Sequence, residues 1–185
     1  MTQYIALLRG INVGGKNKIK MADLREALSN VGFTNVQTYI QSGNILLESN
    51  EDEATLRTLI EHTIEQEFAL SIKTVIRTSE QLKQIVENCP FSEEQIALVE
   101  ANSEKESLYV AMLLDEPHIE RIEKLNRLDF GADQYSVVGR DVYLLFDHSI
   151  RNSKLAIQVE KLGQLITTRN WKTINKLIEL SNDSV

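Results

Sequence analysis

Two runs of one element order, strand, helix, strand, strand, helix, strand, predict an α+β chain built from two tandem ferredoxin-like βαββαβ units. Three observations carry this expectation: apolar spacing that changes between strand-like runs and helical stripes, a glycine-first pair in the middle of each run, and a strongly acidic stretch between them. The expected boundaries are 1–78 for the first unit, 79–107 for an acidic helical connector, and 108–185 for the second unit with a C-terminal helix.

In the first run, Tyr4 to Leu8 is an apolar stretch of strand length, and Met21, Leu24, Ala27, Leu28 and Val31 follow at helical spacing before Gly32. Val36 to Ser42 and Ile45 to Glu48 read as strands around Gly43-Asn44, a pair that suits a hairpin with a left-handed first residue. Asn50 with Glu53 reads as a helix start; Leu56, Leu59, Ile60, Ile64 and Phe68 make the apolar stripe, and Ile72 to Arg77 closes the set as a strand.

The connector carries one helix near Leu82 to Val86 and another after Ser92. In the second run, Leu108 to Leu114 is a strand, Pro117 suits a first helical turn, and Ile119, Ile122 and Leu125 continue at helical spacing. Tyr135 to Val138 and Val142 to Phe146 flank Gly139-Arg140. The helix Ser153 to Leu162 and the strand Leu165 to Thr168 follow. Asn170 caps a final helix from Trp171 to Leu180, with Trp171 expected in the core.

Composition bounds the function classes. The chain has 185 residues, net charge −7 and a single cysteine, Cys89, which excludes an internal disulfide and a multi-thiolate zinc site. No apolar run approaches the roughly 18 residues that span a bilayer, and no secretory leader pattern opens the chain, so a cytoplasmic protein without membrane association is expected. Charge is uneven: residues 1–47 carry net +3, 48–107 net −9, 108–150 net −4 and 151–185 net +3. A uniformly basic nucleic-acid surface is therefore disfavoured, while a local anion site is not.

Read together, Arg9-Gly10-Ile11-Asn12-Val13-Gly14-Gly15-Lys16, Tyr39-Ile40-Gln41-Ser42-Gly43-Asn44, Ser153-Lys154-Leu155 and Thr167-Thr168-Arg169-Asn170-Trp171 resemble the bacterial family known as domain of unknown function 1697. The resemblance implies a soluble bacterial protein of about this length, with no established activity and no catalytic residues to carry over.

The residues themselves point to anion recognition. Three glycines and three lysines fill Gly10 to Lys20 directly after a strand; glycines let amides approach an anion and lysines supply charge, which marks Arg9, Asn12, Gly14, Gly15 and Lys16. Gly10, Gly15, Lys16 and Asn17 approximate a nucleotide-hydrolysing loop, but Asn17 replaces the magnesium-binding hydroxyl and the helix starts near Met21 instead of at Lys16. Gln41, Ser42 and Asn44 offer hydrogen bonds from the first hairpin; Ser42 lacks the flanking glycines of a nucleophile elbow. Ser153 and Lys154 sit at a helix start, where Ser153 also reads as a plain cap. Thr168, Arg169 and Asn170 join a strand end to a capped helix, and Arg169 suits forked contacts to phosphate or carboxylate. His62, His118 and His148 show no metal-ligand spacing.

The leading functional expectation is recognition of a small anionic, phosphate-bearing ligand or a nucleic-acid element. The alternatives are a transferase-type enzyme using the glycine-lysine loop, and a protein-interaction module using the acidic segment Glu80 to Glu106. The sequence names no cofactor, catalytic residue or oligomeric state. Topology further predicts that the first loop lies beside the first hairpin turn, and that Asn152 to Lys154 lie beside Arg169 and Asn170.

Overall fold

The computed structural model describes residues 1–103 and 105–183; Glu104 of the acidic segment and the last two residues of the expected second unit lie outside the described residues. The protein is a mixed α/β chain with two four-stranded antiparallel sheets and, among the described residues, seven helices. It divides into two compact units, Met1–Gln84 with the stretch from Asn175, and Ile85–Ile174.

The first unit runs β1 (Thr2–Leu8), α1 (Met21–Asn30), β2 (Thr34–Tyr39), β3 (Asn44–Ser49), α2 (Glu53–Phe68) and β4 (Thr74–Thr78), with strand order β2-β3-β1-β4. Alternation along the strands sends Tyr4, Ala6 and Leu8 of β1, Ile45 and Leu47 of β3 and Ile76 of β4 into a core with Leu24 and Leu28 of α1 and Leu56, Ile60 and Ile64 of α2. Ile5, Leu7, Leu46 and Val75 alternate with these residues and are also buried.

The helix α3 (Ser79–Glu87) contains the division between the units, and α4 (Glu93–Ala101) begins with a full capping box, Ser92 Oγ accepting from the Gln95 amide. The second unit continues through β5 (Leu108–Leu113), α5 (Ile119–Asn126), β6 (Gln134–Val138), β7 (Asp141–Leu145), α6 (Lys154–Val159) and β8 (Ile166–Asn170), with order β6-β7-β5-β8. Its core gathers Ala111, Leu113, Val142, Leu144, Phe146, Leu155 and Ile166. The last helix, α7 (Trp171–Asp183), is capped by Asn170, whose Oδ1 accepts from the Thr173 amide at 2.8 Å.

Several local expectations are corrected. The first hairpin is closed by the pair Tyr39 and Asn44, so its turn is the four residues Ile40 to Gly43 and Asn44 belongs to β3. The cause is the Asn44 amide, fully buried, which donates to Tyr39 O and Ser42 Oγ at 2.9 Å each and anchors the strand end. The second hairpin has the two-residue turn Gly139-Arg140, with Gly139 at φ +60°. Asp52, not Asn50, caps α2, because its carboxylate reaches the Thr55 amide at 2.8 Å. Leu59 is exposed, outside the buried stripe of α2. Pro117 precedes α5, whose N-cap is His118, and Trp171 is half-buried at the start of α7.

Candidate functional site

The loop after β1 is a small hairpin. Val13 pairs with Lys16 around Gly14 and Gly15, at φ +57° and +76°, the double left-handed turn that glycines adopt at least cost. Asn12 fixes its base: Nδ2 donates to Ile19 O at 3.0 Å and Gln41 O at 2.8 Å, and Oδ1 accepts from the Ile19 amide at 2.9 Å. Asn17 Nδ2 adds a bond to Gly10 O at 2.9 Å. The first loop and the first hairpin turn therefore touch, Leu8 N also donating to Gly43 O at 2.9 Å.

Beyond the turn Ile19 is buried, while Lys16, Asn17, Lys18 and Lys20 are exposed; the three lysines have no ion-pair partner among the described residues. Lys20 also occupies the N-cap of α1, where an oxygen-bearing side chain is favoured, and no side chain caps that helix. Beside the loop opens a cleft of about 620 Å³ lined by Asn12, Gly15, Lys18, Ile19, Lys20, Asp23, Gln41 and Phe68.

Of the residues singled out from sequence, Asn12, Gly15 and Gln41 line this cleft, and Gly14 and Lys16 belong to the same hairpin. Arg9 starts the loop, its amide donating to Lys73 O at 2.9 Å. Ser42 lies in the neighbouring turn and accepts a hydrogen bond from Asn44, the first residue of β3. Lys18, Ile19, Lys20, Asp23 and Phe68 were not singled out. The alternation of lysines was a legible signal for the first three; Asp23 enters from the first turn of α1, and Phe68 arrives from the far end of α2 with no local signal.

The remaining candidates lie in the second unit and are engaged within it. Ser153 Oγ accepts from the Ala156 amide at 3.3 Å and donates to Asp133 Oδ2 at 3.1 Å. Lys154 Nζ donates to Asp129 O at 2.9 Å and stands 5.7 Å from the Phe130 ring centre. Arg169 is buried in β8 and donates to Thr167 Oγ1 at 2.9 Å and Thr168 O at 3.0 Å. Burial lowers its pKa to about 10, so it remains a cation at neutral pH. Thr168 pairs with Ala111 and Asn170 with Tyr109, next to a second cleft of about 460 Å³ bordered by Lys105, Glu106, Tyr109 and Arg151.

Cys89 is half-buried, and burial raises its thiol pKa, which keeps it protonated at neutral pH. Among the described residues, no cluster of three His, Cys, Asp or Glu side chains is placed to hold a metal, and no helix is long and apolar enough to cross a membrane. The nucleotide-hydrolysing loop is not formed: Lys16 closes a tight turn, and α1 begins only at Met21.

A family model described as "Protein of unknown function (DUF1697)" matches residues 1–143. The chain belongs to this family. The match contains the whole cleft and ends before the Ser153 and Thr167 to Trp171 segments. Among solved structures, the conserved bacterial protein SP0830 from Streptococcus pneumoniae is similar at 26% identity with a TM-score of 0.73, over 97% of this chain and 98% of that one. No curated protein matches the chain.

Proposed function

We propose that this DUF1697 protein binds a small phosphate-bearing anion in the cleft of its first unit. The observation that carries the reading is the set of three exposed lysines, Lys16, Lys18 and Lys20, that follow the Gly14-Gly15 turn up to the start of α1, with no ion-pair partner among the described residues. Exposed ammonium groups with no carboxylate partner within the protein leave their charge available to an external anion. Asn12 and Gly15 hold the loop in shape, Gln41 offers an amide, and Asn44 and Ser42 position the neighbouring turn.

The corresponding end of the second unit supports the assignment to the first. There a smaller cleft of about 160 Å³ is lined by Asp115, Glu116, His118 and Arg121, a set that does not favour an anion. The charged groups lining the first cleft are Lys18, Lys20 and Asp23, and the mechanism in this reading is recognition. Of the two first-sheet tyrosines that a nucleic-acid reading would use for base stacking, Tyr4 is buried and Tyr39 half-buried.

The two units share one plan, which supports reading them as tandem ferredoxin-like βαββαβ folds arisen by duplication. Tyr4-Ile5-Ala6-Leu7-Leu8 and Tyr109-Val110-Ala111-Met112-Leu113 occupy matching registers, with Ile5 opposite Arg77 and Val110 opposite Arg169. In this reading the repeats span 1–78 and 108–185 around the connector 79–107.

Isothermal titration of the full chain with pyrophosphate tests the proposal. Binding should weaken at least tenfold in Lys18→Ala/Lys20→Ala and with rising salt, whereas Lys154→Ala should leave it unchanged. Equal binding by the double variant and the wild type would overturn the site.

A further inference from the structure

Resting on the anion reading, we infer that the ligand of this cleft is a nucleoside monophosphate. The lining is more than an anion requires. A bare phosphate is satisfied by Lys18 and Lys20 at the loop, yet the same cleft of about 620 Å³ includes an aromatic ring, an aliphatic side chain, a carboxylate and a free-standing amide group, from Phe68, Ile19, Asp23 and Gln41. The volume lies within the roughly 300–1,000 Å³ of small-molecule pockets.

Each of these groups asks something different of the ligand. Asp23 repels a phosphate and is useful only to hydrogen-bond donors, which ribose hydroxyls and exocyclic base amines supply. Phe68, half-buried and packed on the core, offers fixed apolar area that a planar base covers at low entropic cost. Gln41 carries both a donor and acceptors, which suits the edge of a base. One molecule that presents an anion, hydroxyl or amine donors and a flat apolar ring is a nucleotide. Lys16 closes a tight turn and α1 starts late, so the loop is not the one that cradles a triphosphate for hydrolysis.

The test titrates the full chain with the four ribonucleoside monophosphates, their free nucleosides and pyrophosphate. At least one monophosphate should bind tenfold or more tighter than pyrophosphate and than its nucleoside. Lys18→Ala should weaken monophosphate and pyrophosphate alike. Phe68→Leu and Asp23→Asn should each lower the preference for monophosphate over pyrophosphate by fivefold or more. Because Phe68 packs on the core, melting temperatures accompany the titrations; Asp23 is exposed, and Asp23→Asn decides the question if Phe68→Leu is unstable. If pyrophosphate binds as tightly as every monophosphate and Asp23→Asn changes no preference, the nucleotide inference fails while the anion site stands. If no phosphate-bearing probe binds, both fail.

Discussion

Replacing Asn12 should loosen the loop on which the proposed site depends. Its side chain makes three hydrogen bonds, at 3.0, 2.8 and 2.9 Å, that tie the loop to Ile19 and to the Gln41 carbonyl of the hairpin turn. At about 1 kcal/mol net for each bond the loss is about 3 kcal/mol. Gln41 is exposed and its carbonyl regains water, which returns part of that amount, so about 2 kcal/mol is lost in bonding. Asn12 also sits at φ +53°, a conformation asparagine tolerates better than alanine, which adds up to about 1 kcal/mol in Asn12→Ala. The total of about 2–3 kcal/mol corresponds to a melting temperature lower by roughly 5–10 °C for a chain of this size. Asn12→Gly lacks the backbone term and should lose only the bonding part, so urea unfolding of the pair separates the two contributions. Hydrogen exchange at the Ile19 amide gives the local readout, because that amide loses its acceptor in both variants. A change below about 0.5 kcal/mol, with Ile19 still protected, would refute the account of the loop.

Gly43→Ala should cost about 2–4 kcal/mol, measured by thermal melting, because Gly43 stands at φ +81° and an added Cβ would lie 2.5 Å from Ile11 Cδ1 and 2.8 Å from Leu8 Cβ. Gly14→Ala meets no atom within 4 Å and should cost only the backbone part, about 1–2 kcal/mol; equal effects would contradict the close approach. Asp52 makes the cap of α2 pH-sensitive. Its hydrogen bonds to the Thr55 amide and side chain hold the carboxyl below the ordinary aspartate value of 3.8. The cap's contribution is complete above that value and is lost as pH falls through the lowered one. Urea midpoints of wild type and Asp52→Asn should therefore converge toward pH 2, and a difference independent of pH would reject the cap.

Much of the secondary structure was legible because its signals are local. The start of α1 at Met21, the helix after Ser92, the cap of Asn170 and the glycine-first turn at Gly139 each depend on residues within one turn of chain. Where two local signals compete, the sequence does not rank them: Asn50 and Asp52 can both cap a helix, and backbone geometry selected Asp52. The first hairpin was misread for a related reason, since Gly43 and Asn44 suit a two-residue turn until the burial of Asn44 draws it into β3.

The sequence by itself determined the element order, the two matching runs and the concentration of lysines in the first loop. Tertiary structure alone decided which residues meet. Phe68 reaches the cleft because α2 packs on the same face of the first sheet as α1, and Gln41 because β2 and β3 turn at the end where β1 stops. The lysines of the first loop stayed exposed, whereas Lys154 and Arg169, equally basic in sequence, were drawn into bonds within their own unit. The physical reason is range: helix caps, turns and alternation act over a few residues, whereas strand order and burial bring together groups that no spacing relates.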